Sequence, residues 1–97
     1  MSFRDLVLSL VRDIDDPEVR IGIISTFNGI KEAYMAGRLD NESLFRQLYN
    51  AIKDLLTILR PDLSEKEISD RASKLAKQMS SLIRLEAMHA RTLMRFR

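Results

Sequence analysis

Apolar residues recur along this chain at spacings of three and four, and every long segment has helical period. Phe3, Leu6, Val7, Leu10, Val11 and Ile14 fall on one face of a first helix, with Ser2 as its N-cap. That helix is expected to end near Asp13, because acidic residues oppose the dipole at a helix C-terminus. Asp16-Pro17-Glu18 then starts a second helix. Aspartate caps free amides there, and proline at the first helical position gives up an N–H that has no intrahelical acceptor. Val19, Ile23, Phe27, Ile30 and Tyr34 mark its inner face, and Gly37 fits its C-cap. Gly22 and Gly29 lie inside it, where close approach of another helix is the expected reason for them.

Asp40 or Asn41 caps a third helix with Leu44, Phe45, Leu48, Ile52, Leu55, Leu56 and Leu59, the most apolar segment, ended by Pro61. Ser64 and Glu67 in "SEKE" form a capping box that opens the fourth. A continuous helix from Glu65 to Phe96 spans roughly 48 Å, against roughly 30 Å for a twenty-residue helix. Two outcomes follow: it projects beyond the bundle, or it bends near Ser80-Ser81 and a fifth helix folds back. Glu86 favours the bend, since in an unbroken helix it interrupts the stripe Ile68, Leu75, Met79, Leu82 and Leu93.

The pattern therefore predicts one all-α domain over residues 1–97. It is an antiparallel bundle of four helices, or five with the bend, joined by short connections. Its core is expected from Phe3, Leu6, Leu10, Ile23, Phe27, Ile30, Leu48, Ile52, Leu55, Leu59, Leu75, Met79 and Leu82.

Composition narrows the function classes. The chain contains no cysteine, which removes disulfides, thiolate metal sites and a cysteine nucleophile. There is one histidine, no glycine-rich phosphate loop and no nucleophile elbow, so the expectation is a protein that is not an enzyme. "MSFRDLVLSLVRD" carries charges within its apolar run and does not read as a signal peptide. A cytoplasmic location is expected.

The net charge of +2 conceals a division. Residues 1 to 70 hold nine Lys or Arg and thirteen Asp or Glu, for −4, whereas residues 71 to 97 hold seven basic residues and Glu86, for +6. In an antiparallel bundle the first and third loops share an end, which gathers Asp13, Asp15, Asp16 and Glu18 near Asp62, Glu65 and Glu67. Calcium takes six to eight oxygen ligands from such loops, with magnesium a second candidate. "DIDDPE" departs from the EF-hand pattern, and Asp16, Glu18, Glu65 and Glu67 also suit helix N-termini.

The opposite charge lies on the fourth helix. Lys77, Arg84, Arg91 and Arg95 fall on one line with Lys74 beside it, and Arg97 follows. This stripe suits nucleic acid, or an anionic membrane surface, while Met88, Leu93, Met94 and Phe96 suit docking into a protein groove. Glu86 and His89 match half of the Glu-x-x-His ligand pattern of carboxylate-bridged di-iron bundles, with Glu32 a candidate further ligand in a homodimer. Pairing of His89 with Glu86 is the simpler expectation.

A short, cysteine-free chain of amphipathic helices with eleven Arg against five Lys resembles the small helical proteins of hyperthermophilic crenarchaea. Among these is a saposin-like bundle that binds calcium. The resemblance implies a saposin-like fold without disulfides, and cation binding by the acidic residues of 13 to 18 and 62 to 67. The basic C-terminal stretch is also similar to a small accessory subunit of a DNA polymerase, which implies a nucleic-acid or protein partner.

Overall fold

The structure, a computed structural model, describes residues 1–95, with side chains described through Met94. Four helices follow one another: α1 (Phe3–Val11), α2 (Pro17–Met35), α3 (Asn41–Leu59) and α4 (Glu65–Arg95). No strand occurs among the described residues. The expectations for the Arg95 side chain, Phe96 and Arg97 concern positions outside the described residues.

Each boundary has a local cause. Ser2 and Asp5 close a reciprocal capping box on α1, with Ser2 Oγ accepting from the Asp5 amide at 3.1 Å. Helix α1 stops at Val11, two residues before the expected end, and the Ile14 amide then donates to the Val11 carbonyl at 3.1 Å. This turn swings Ile14 into the core while Asp13, Asp15 and Asp16 stay in water. Asp16 caps α2 through the Glu18 amide at 2.9 Å, beside Pro17.

The end of α2 is a paired C-terminal motif around Gly37, whose φ of +78° suits a residue without Cβ. The Gly37 amide donates to the Tyr34 carbonyl at 3.0 Å and the Arg38 amide to the Ala33 carbonyl at 2.9 Å. Asp40, rather than Asn41, caps α3, its carboxylate accepting from the Ser43 amide at 2.7 Å. At the start of α4, Ser64 and Glu67 exchange backbone-to-side-chain bonds, both of 3.2 Å.

Helices α3 and α4 share the largest interface, α2 lies on α3, and α1 touches both α2 and α4. Large residues of α3 (Leu44, Leu48, Ile52, Leu55) share the core with a face of α4 on which Ala72 and Ala76 are set among Ile68, Met79 and Ile83. Small against large is how facing helices interdigitate at native density. Of the expected core, Phe3, Leu6, Phe27, Ile30, Leu48, Ile52, Leu55 and Met79 are buried; Leu10, Ile23, Leu75 and Leu82 are half-buried; Leu59 is exposed.

Three expectations need correction. Helix α4 runs unbroken for 31 residues through Ser80 and Ser81, so there are four helices and no fifth over the described residues. Its buried face is set by the alanines rather than by Leu75 and Leu82, which turns Glu86 to the margin. There Glu86 forms an ion pair with Lys31 of α2, rather than with His89, which is exposed. Finally, a Cβ at Gly22 or Gly29 would meet nothing within 4 Å, so no helix approaches closely at either glycine.

Candidate functional site

The helices differ in length, and the difference creates the first candidate surface. At 1.5 Å per residue α2 and α3 extend about 28 Å, while α4 extends about 46 Å, close to the 50 Å long dimension of the molecule. The bundle covers α4 as far as Ala87. Near that point α2 and α4 are tied by the Lys31–Glu86 pair, and the Lys31 ammonium also sits 5.6 Å from the centre of the Phe3 ring. Beyond it Ala90 is half-buried and Met88, His89 and residues 91–94 are exposed.

Met88 is 61% exposed, Leu93 70% and Met94 75%, and Leu85, one turn earlier on the outer side, is 54% exposed. Met94 continues the line of Ile83, Ala87 and Ala90. It is therefore a core position of α4 with no core left opposite it. Arg84 and Arg91 are exposed on the same stretch, as are Lys74 and Lys77 nearer the bundle. The structure thus places the described part of the basic stripe in water, and sets apolar side chains on both sides of its distal portion.

The acidic residues of the two loops lie on the surface. Asp13, Asp15, Asp16, Glu18, Asp62 and Glu65 are all exposed, and among the described residues no three acidic or histidine side chains form a group that would hold a metal ion. Asp62 is engaged by its own turn. The Arg60 guanidinium donates to both its oxygens at 3.0 and 2.9 Å and holds its carboxyl below the usual value. Glu67 is held low by the Ser64 amide, and Asp40 by that of Ser43. With Asp16 occupied as a cap, Asp13 and Asp15 remain without a structural role.

Sequence reasoning missed a second surface. Between α2 and α3, at the end of the molecule where α4 begins, runs an open groove of about 300 Å³. Ile14, Val19, Ile23, Phe27, Leu55 and Ile58 line it, and among the described lining residues Asp54 alone is charged. Val19 is 47% exposed and Ile58 77%, although the periodicity placed Val19 inward. A signal was present in α2: Val19, Ile21, Ile23 and Ile24 cannot all face one side of a helix.

No helix among the described residues is long and apolar enough to cross a membrane. Compared with known protein families, with curated proteins and with solved structures, the chain matches none.

Proposed function

We propose that this protein is a non-catalytic interaction module that presents the distal turns of α4 to a partner protein. The observation that supports the reading is the exposure of Leu85, Met88, Leu93 and Met94 on a helix extending past its own bundle. Leu85 and Met88 stand three positions apart, as the anchors of a groove-binding helix do, Leu93 and Met94 add apolar surface on the turns beyond, and methionine adapts to irregular surfaces. Arg84 and Arg91 add long-range attraction toward an acidic partner.

Nucleic acid is less well matched. A phosphate-binding face gains from uninterrupted cations, whereas here apolar side chains separate Arg84 from Arg91 along the helix. The finer architecture we propose is antiparallel. It is supported by connections of five residues each, by the bond from the Tyr34 hydroxyl to Asn41 Oδ1 at 2.7 Å, and by the approach of Phe3 to Lys31.

A photo-crosslinking residue at position 88, used in cells that make the protein, tests the reading. The expected result is a covalent adduct with a protein, reduced at least about tenfold when Leu93→Glu and Met94→Glu are added, since two anchor side chains each carry over 1 kcal/mol. No adduct, or one removed by nuclease, overturns it. A rise in thermal midpoint with calcium would instead move the function to Asp13, Asp15 and their neighbours.

A further inference from the structure

We infer that the partner includes a second copy of this chain: the distal turns of α4 from one molecule seat in the α2–α3 groove of the next. The inference rests on the reading above and assigns it an occupant. Groove and helix are complementary in character. The groove is apolar along its floor, and the only charge on its described lining is the carboxylate of Asp54. Its rim is the loop that runs into Val19, with Asp13, Asp15, Asp16 and Glu18 exposed against the single cations Arg12 and Arg20 on either side. The helix offers Leu93 and Met94 with Arg84 and Arg91. An apolar core ringed by opposite charges is the ordinary anatomy of a specific contact.

Position excludes the intramolecular alternative. The groove lies beside Leu59, at the start of α4, and Leu93 stands about 40 Å further along that rigid helix. A molecule therefore cannot fill its own groove. Charge opposes the symmetric alternative, in which two distal segments pair with each other, since residues 84 to 97 hold Arg84, Arg91, Arg95 and Arg97 against Glu86 and would set +3 against +3. Joining that segment to the groove of another copy sets +3 against a net −2 over residues 12 to 20 and the carboxylate of Asp54. Seating the helix in the groove would also cover Val19 and Ile58, which the monomer leaves exposed. Because helix and groove are different surfaces at opposite ends, the contact is heterologous and each added copy leaves one of each free.

Sedimentation velocity on the full chain, from about 10 µM to 1 mM in about 50 mM salt, tests this. The expected result is a mass that grows with concentration and falls severalfold in about 0.5 M salt, where charges are screened within about 4 Å. Two variants use exposed positions, so folding is retained: Leu93→Glu with Met94→Glu, and Val19→Lys with Ile58→Lys. Each alone is expected to stay monomeric. Mixed, they are expected to form one dimer and nothing larger, because only one intact helix and one intact groove remain per pair. A wild-type chain that stays monomeric throughout overturns the inference, as does assembly that resists either variant, strengthens with salt, or fails to return on mixing. A monomeric chain that still forms a crosslink from position 88 to a different protein leaves the interaction module standing and removes the second copy. Absence of both removes the module as well.

Discussion

The two ends of α4 obey the same helical periodicity and meet opposite fates. From Ile68 to Ala87 its inner face is buried, chiefly against α3, with Ala72, Ala76 and Ala87 interspersed among Ile68, Met79 and Ile83. From Met88 to Met94 the helix is unchanged in geometry, yet larger apolar residues stand in water. Helical form is thus not evidence of packing. An apolar stripe says which way a helix faces, and the lengths of its neighbours decide whether anything is there to meet it. In the first segment the side chains create stability; in the second they are available for association.

Alanine substitution of one large apolar residue from each end separates the two most sharply. Ile83 is fully buried, and Ile83→Ala is expected to lower unfolding free energy by about 2–5 kcal/mol, from lost transfer energy and the cavity left behind. Leu93→Ala removes a similar volume from an exposed site and is expected to fall within about 0.5 kcal/mol of wild type. Urea denaturation at low micromolar protein, below self-association, measures both. A cost above about 1 kcal/mol for Leu93→Ala would mean that the distal segment packs on its own bundle, and the contrast would collapse.

Ser80 sharpens the comparison from within the buried half. Its hydroxyl oxygen is buried and has no hydrogen-bond partner among the described residues. A buried polar group without a partner costs about 1–3 kcal/mol, and alanine is the better helix former. Ser80→Ala is therefore expected to stabilise the protein by about 1 kcal/mol in the same urea experiment. The same change at exposed Ser81 is expected to give only the propensity gain of a few tenths. Equal effects at the two serines would show that Ser80 is hydrated, and that the α3–α4 seam is open at its middle.

Much of this was legible from local chemistry. The caps at Ser2, Asp16 and Ser64 and the turn at Gly37 are set by side chains within a few residues, so the four helices and most of their limits follow from short-range pattern. The rotation of α4 was not legible. Leu75 and Leu82 are its most conspicuous apolar residues, but the true face runs through Ala72, Ala76, Ile83 and Ala87, about 100° away. Alanine is a weak hydrophobic signal, and its selection here depends on how large the residues of α3 are. The α2–α3 groove was hidden for a related reason. Val19 and Leu59 carry the same apolar label whether a third helix covers them or not, and only the placement of α1 and α4 leaves that side open.

The smallest expected effect concerns the beginning of α4, where the helix depends on charge rather than on burial. Glu67 accepts from the Ser64 amide and lies below its ordinary value chiefly because of that bond. Asp62, held by Arg60 in the preceding turn, is lowered too. A carboxyl whose folded value is depressed favours the folded state above its unfolded value, and loses that contribution as pH falls through the folded one. Stability should therefore be flat from pH 7 to about 5 and decline below about pH 4, near the ordinary carboxylate range. Both groups are exposed, so the decline is shallow and salt weakens it. Glu67→Gln keeps a side-chain oxygen that can accept from the Ser64 amide while removing the charge, so it should flatten part of the acid limb and leave the neutral limb nearly unchanged. Amide exchange at pH 3.5 then places the effect: faster exchange in the first turns of α4, with Met79 to Ile83 still protected, fits a helix anchored by its core. Loss of protection at both sites together would mean that the capping carboxylates hold the whole of α4 and not only its start.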